Sequence, residues 1–185
     1  MATNSKPWTA FYNPAMRSEI ETAQYRTVGD MVSEIAQLYD KQKAFTACLP
    51  NGMNGTLTFR QAEEMSDALA VYLRETCGLN KGDRVALQVP NGLSFPIAAF
   101  AILKAGCVLV NVNPLYTAEE MAHQFDDADP QALIVVDVFA EKLAEAVKAH
   151  PVPNIIVTQV AEFFPAMPRG IVRLVQKHWD KTLDP

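Results

Sequence analysis

Asp83-Arg84-Val85-Ala86-Leu87-Gln88-Val89-Pro90-Asn91 reads as a buried strand that stops at a Pro-Asn turn. Further on, Asn111-Val112-Asn113-Pro114-Leu115-Tyr116-Thr117-Ala118-Glu119-Glu120-Met121-Ala122-His123-Gln124-Phe125 reads as a strand end, a rigid loop and a capped helix. The stretch between them is apolar nearly all round (Phe95, Ile97, Ala98, Ala99, Phe100, Ile102, Leu103), which predicts a helix buried on every side. Strand, buried helix, strand and capped helix in that order predict parallel strands joined by crossovers.

The same rhythm continues outward. Strands are expected at Val85–Val89, Cys107–Val112, Ala132–Val136 and Asn154–Val157, and helices at Leu93–Ala105, Thr117–Ala128 and Phe139–Ala149. The strands are continuous apolar runs, the pattern of strands covered on both faces. The expected fold class is therefore α/β, a doubly wound, mostly parallel sheet with helices on both faces. A small hairpin precedes it: strands at Lys43–Leu49 and Thr56–Phe59 flank a turn containing Gly52 and Gly55. Thr58 with Gln61 predicts a capping box for a long helix that puts Met65, Leu69, Tyr72 and Leu73 inward and stops at Gly78. Thr27 with Asp30 predicts the N-cap of an earlier helix that puts Met31, Ile35 and Leu38 on one face.

The expected organisation is an extended arm over residues 1–26, an α/β body over 27–160, and a basic amphipathic tail over 161–185. In the tail, Arg169, Arg173, Lys177 and Lys181 recur every four residues, and Ile171, Leu174, Val175 and Trp179 fall on another side.

Length and composition narrow the function classes. The chain has 185 residues, 49% of them hydrophobic and 20% charged, which is an ordinary globular balance. No apolar run reaches the roughly 20 residues that cross a bilayer, since Pro96 and Lys104 break the longest. The start, Met1 to Trp8, carries no apolar signal core, so a cytoplasmic location is expected. A net charge of −5 lacks the basic surplus of a general nucleic-acid binder. Cys48, Cys77 and Cys107 are too few and too scattered for a disulfide frame or a zinc site, and are expected to be buried, reduced thiols.

Several stretches bear on chemistry. A glycine-rich phosphate cradle works because glycines let successive backbone N–H groups approach phosphate oxygens. The turn after Val89 offers only Pro90-Asn91-Gly92, and no such cradle is found. Ser94, between Gly92 and Pro96, lacks the second glycine and the nearby histidine of a serine nucleophile, and reads as a first-turn helix residue. Glu119, His123 and Asp127 share a helix face, where a solvated acidic face accounts for them better than a metal site. Asn111, Asn113 and Tyr116 leave a strand at its carboxyl end, where open parallel sheets bind ligands. Helix capping explains Pro114, Thr117 and Glu120 there, but the asparagines and Tyr116 only in part. No catalytic, cofactor-binding or metal-ligating residue is assigned. The cationic residues Arg169, Arg173, Lys177 and Lys181 remain open between a solvated face and a surface for an anionic leaflet.

Taken with Leu57-Thr58-Phe59-Arg60 and Asn154-Ile155-Ile156-Val157-Thr158, the quoted stretches resemble the amino-terminal part of the adenylate-forming enzymes. Gly82-Asp83-Arg84-Val85 with Pro90-Asn91 is similar to the superfamily at large. Asn113-Pro114-Leu115-Tyr116-Thr117 with His123-Gln124-Phe125 resembles its bacterial long-chain fatty-acid–CoA ligases. The resemblance implies a parent that joins a fatty acid to coenzyme A, using ATP and magnesium, through an acyl-adenylate, with AMP and pyrophosphate released. It also implies work at the inner face of the bacterial cytoplasmic membrane. The expected partners are the remainder of the parent enzyme, fatty acid and CoA as its substrates, an anionic membrane surface and a second copy of the chain, with no nucleic acid. The fragment alone is expected to be inactive, with no cofactor bound. The alternative is a stand-alone doubly wound regulatory domain of the receiver kind, with Asp137 at a strand end as acceptor, or an interaction module.

Overall fold

A computed structural model describes residues 6–19, 24–49, 52–166 and 169–171 of the chain, without the side chains of 140–142. The helices are α1 (Val28–Tyr39), α2 (Phe59–Val71), α3 (Ser94–Lys104), α4 (Ala118–Ala128) and α5 (Ala140–Ala149). The strands are β1 (Lys43–Cys48), β2 (Asn54–Thr58), β3 (Arg84–Gln88), β4 (Val108–Asn111), β5 (Ala132–Val136) and β6 (Asn154–Thr158). β1 and β2 form the antiparallel hairpin, and the other four strands form one parallel sheet in the order β4-β3-β5-β6.

Side-chain alternation along the central strands divides the core in two. Val85, Leu87, Ile134 and Val136 pack under α2 and α3 with Leu73, Ala98 and Ile102. Ala86, Leu133 and Val135 point the other way, against Met121 and Phe125 of α4 and Leu143 and Ala146 of α5. Both faces of β3 and β5 are thus covered, which explains why their sequences are apolar without alternation. A third cluster, Leu57, Leu93, Ile97, Ala161 and Phe164, seats the hairpin on the start of α3.

The helix starts follow local chemistry. Thr27 Oγ1 accepts from the Asp30 N–H at 3.0 Å. Thr58 Oγ1 accepts from the Gln61 N–H, and Gln61 Oε1 accepts in return from the Thr58 N–H. Pro96 lies in the first turn of α3, where its missing N–H has no intrahelical partner to lose. α2 closes through one π turn, Tyr72–Thr76, and Gly78 follows at φ +68°, a left-handed stop that a side chain would strain.

The structure corrects two expectations, Tyr72 inward and Cys48 buried, and shows how the apolar face of α1 is placed. In α1 the buried position is Ala36, while Met31 and Leu38 are exposed, Leu38 by 66%. α1 lies close against α2 and α3, and small residues make its contact stripe. In α2 the inward face runs Ala62, Ser66 and Ala70 and continues through Leu73 of the π turn, which leaves Tyr72 outside. Cys48 is exposed because the hairpin is roofed on one side only, whereas Cys77 is partly and Cys107 fully buried, and all three are free thiols. Burial pushes both of those thiols above their ordinary range. Within residues 6–19 the chain takes one 3₁₀ turn, Pro7–Phe11, with no buried residue, and Phe11 is 91% exposed.

Candidate functional site

In the order β4-β3-β5-β6, the chain leaves β3 through α3 on one face and reaches β5 through α4 on the other. The carboxyl ends of β3 and β5 therefore flank the point where the winding reverses, the place where open α/β sheets form a crevice. A cleft of about 230 Å3 lies there. Its floor is Val89, Pro90, Asn91 and Gly92 after β3, with Val136 at the end of β5, and the end of β1 roofs it through Ala47 and Cys48 with Leu49 just after.

Ser94 stands at the inner end of this cleft. It opens α3, whose N-cap residue Leu93 offers no side-chain oxygen. Ser94 also lines a second, apolar cavity of about 330 Å3 between α2, α3 and β6. Its hydroxyl lies 3.5 Å from Thr158 Oγ1, and Thr158 donates to Glu162 Oε2 at 2.6 Å, which also accepts from the Gln159 N–H. This Ser-Thr-Glu relay, buried at Ser94 and Thr158 and exposed at Glu162, went unread in the sequence, because it joins residues 64 positions apart. A polar residue at the head of an apolar helix, Ser94, was its only trace.

The Asn111–Tyr116 loop is largely explained by its own hydrogen bonds. Asn113 Oδ1 accepts from the Leu115 N–H at 3.0 Å, an Asx turn, and the Tyr116 N–H donates to the Asn113 carbonyl. The Asn111 carbonyl accepts from Gln124 Nε2, and Tyr116 packs against the second core. β4 is the sheet's outer strand, so this loop stands away from the reversal point, with Leu115 80% exposed.

Thr117 closes the loop with a full capping box, its side chain accepting from the Glu120 N–H at 3.2 Å. Glu120 Oε2 in turn accepts from the Thr117 N–H and hydroxyl, which holds its carboxyl below the usual carboxylate range. A depressed folded value means that this cap contributes above the unfolded pKa and is lost as pH falls through the folded one. Thr117→Ala should cost about 1 kcal/mol in urea unfolding and speed amide exchange in the first turn of α4. Unchanged exchange there would show the cap to be idle.

Among the described residues Ser94 has no base beside it, since its neighbour Thr158 is itself a donor to Glu162. Glu119, His123 and Asp127 are exposed on the outer side of α4, and no group of three His, Cys, Asp or Glu placed to hold a metal ion occurs among the described residues. Asp137 follows β5 and accepts from the Val138 N–H at 2.9 Å. Arg169 is exposed and donates to the Glu162 carbonyl at 3.3 Å, while Arg173, Lys177 and Lys181 lie outside the described residues. No described helix is long and apolar enough to cross a membrane.

Comparison with known proteins agrees with this architecture. The chain is 38% identical over 173 residues to a long-chain-fatty-acid–CoA ligase of Escherichia coli O6:H1, covering 94% of this chain and 30% of the relative. A long-chain-fatty-acid–CoA ligase of Bacillus subtilis strain 168 is 31% identical over 185 residues, covering 97% of this chain and 32% of its own length. The chain thus spans about a third of the length of these curated relatives. Among solved structures, a benzoate CoA ligase from Burkholderia xenovorans LB400 matches with a TM-score of 0.63 at 21% identity, over 80% of this chain and 28% of that one. A long-chain-fatty-acid-CoA ligase from Archaeoglobus fulgidus matches with a TM-score of 0.63 at 19% identity, over 74% of this chain and 29% of that one. Those two likenesses establish the fold. Residues 32–179 match the family described as AMP-binding enzyme, and the chain belongs to that family.

Proposed function

We propose that this chain is the amino-terminal part of a ligase that joins a long-chain fatty acid to coenzyme A through an acyl-adenylate, with AMP and pyrophosphate released. The observation that carries this reading is the 38% identity, sustained over 94% of the chain, to an enzyme of that name. It displaces the receiver-like alternative.

In this reading the chain supplies scaffold. Its sheet places a crevice at the winding reversal, and the hairpin shields one side of it. The parent uses ATP, magnesium and coenzyme A. The cleft brings together Ser94, Asn91 and backbone groups, without the carboxylate ligands that magnesium takes or the cations that a polyphosphate takes. The residues present do not fit those groups by themselves, and phosphate binding is assigned to other parts of the parent.

The test is to purify the native gene product that carries this chain, weigh it, and assay it beside the 185-residue chain. A product about three times longer that releases pyrophosphate only with fatty acid present, and forms acyl-CoA, is expected, with no turnover by the short chain. Without preorganised donors, charge developing on the α-phosphate has no partner. Fatty-acid-dependent turnover by the short chain would sink the scaffold assignment, and a full product without acyl-CoA synthesis would sink the reading itself.

The cationic positions Arg169, Arg173, Lys177 and Lys181 are proposed to face an anionic leaflet, where each contributes about 1 kcal/mol before screening. The protein should then sediment with phosphatidylglycerol vesicles at low salt and leave them as salt rises. Indifference to vesicles at low salt would make the stripe a solvated face. The exposed edge of β6, with Ile155 and Val157 beside it, is proposed to favour self-association of the short chain, which sizing at rising concentration would show or deny.

A further inference from the structure

The cavity of about 330 Å3 beside Ser94 is apolar along most of its lining and polar at one place. Met65 and Leu69 of α2 and Ile156 of β6 line it, all three half-buried. Ser94, Thr158 and Glu162 gather at the polar place. Small-molecule sites have this composition, apolar walls with a few placed polar groups that fix orientation.

Those polar groups are unevenly satisfied. Thr158 donates its one hydroxyl proton to Glu162 Oε2 at 2.6 Å, and the Gln159 N–H donates to the same oxygen at 3.1 Å. Glu162 Oε1 has no partner among the described residues, and Arg169 bonds the Glu162 carbonyl, not its carboxylate. Ser94 is 8% exposed, and its hydroxyl lies 3.5 Å from Thr158 Oγ1, beyond the roughly 2.5–3.0 Å of an O–H···O bond. A hydroxyl nine-tenths buried therefore keeps its lone pairs uncommitted. Among the described lining residues Glu162 carries the only charge. The start of α3 adds a positive pole of about half a charge at Ser94, less than the whole charge of the carboxylate.

We propose that this groove binds primary alkylamines, with a tail of about eight carbons along Met65, Leu69 and Ile156 and the ammonium at Ser94, Thr158 and Glu162. An ammonium has three donors and no acceptor, which matches three acceptor groups around one net negative charge. A dry cavity of about 150 Å3 holds benzene, so about twice that volume takes an eight-carbon tail with its head. A carboxylate on the same tail meets Glu162 as a like charge, and an alcohol leaves that charge unpaired. This inference does not depend on the parent's reaction.

The test titrates n-octylamine, octan-1-ol and sodium octanoate into the 185-residue chain and into the native gene product at neutral pH and low salt. The readout is the methyl resonance of Met65. Octylamine should shift it saturably and bind at least about fivefold more tightly than octanol, while octanoate leaves it unmoved. Tail burial alone gives amine and alcohol the opposite order, because an ammonium costs more to desolvate. Glu162→Gln keeps an acceptor for Thr158, and it should weaken octylamine about tenfold while sparing octanol. Ser94→Ala should weaken octylamine severalfold. Octanol binding as tightly as octylamine would overturn the proposal. So would saturable binding of octanoate, or octylamine binding untouched by Glu162→Gln. Binding to the short chain alone would also overturn it, and would give the groove to the contact with the rest of the parent.

Discussion

Lys104→Met is expected to lower the stability of the chain by about 3–5 kcal/mol, the cost of breaking one side of a buried ion pair. Lys104 ends α3 and points into the junction of α1, α2 and α3, where its side chain is only 9% exposed. Its ammonium donates to Glu63 Oε2 at 2.6 Å, to Ser66 Oγ at 2.9 Å and to Asp67 Oδ1 at 2.8 Å. Glu63 is 17% exposed and also accepts from Ser33 of α1, so three helices meet on one charge pair. Asp67 is 58% exposed, and solvent screening makes its share small.

Methionine keeps most of the apolar stem that passes Gly29, so the substitution isolates the charge. The carboxylate of Glu63 then stays in a poorly solvated junction without its cation. For a chain of this size the loss corresponds to a melting temperature about 6–20 °C lower. Adding Glu63→Gln to Lys104→Met should recover a substantial part of it, because the stranded charge is gone. A loss below about 1 kcal/mol in urea unfolding would place this cluster with ordinary surface pairs.

That cluster also shows where reading the sequence ran out. The parallel sheet was legible because Val85–Val89 and Ala132–Val136 are apolar on both faces, and continuous apolar runs have few other meanings. Helix starts were legible at Thr27, Thr58 and Thr117 because a cap is chemistry within four residues. Helix faces were less so. Met31, Leu38 and Tyr72 fit the right period but point outward, since small residues at Ala36, Ala62, Ser66 and Ala70 let α1, α2 and α3 approach closely. Lys104 read as a break in an apolar run, and nothing local announced partners at positions 63, 66 and 67. The candidate site divides in the same way. The turn Pro90-Asn91-Gly92 was legible as the exit of a strand, but its roof of Ala47, Cys48 and Leu49 and the Ser94-Thr158-Glu162 relay depend on contacts between distant segments.

The roof itself yields the second large effect, at Gly55 in β2. The φ of this glycine lies outside the left-handed region, so its backbone accepts any residue. If space were free, Gly55→Ala would stabilise the strand by about 0.4–1 kcal/mol through the unfolded chain. Space is not free. A β-carbon there would stand 2.9 Å from Leu93 Cδ1 and 2.9 Å from Phe164 Cγ, and an aromatic ring wedged in a core cluster cannot yield cheaply. The expected sign is therefore reversed: Gly55→Ala should destabilise by about 1–3 kcal/mol, and Gly55→Val by more. The damage should also be local. Amide exchange should quicken at Thr46, Cys48 and Leu57 as the hairpin lifts from α3, while Leu87 and Ile134 in the parallel sheet keep their protection. Adding Phe164→Leu should soften the effect of Gly55→Ala by removing the ring edge it meets. If Gly55→Ala instead raises stability, the hairpin is loosely seated and the crevice beneath it has no fixed roof.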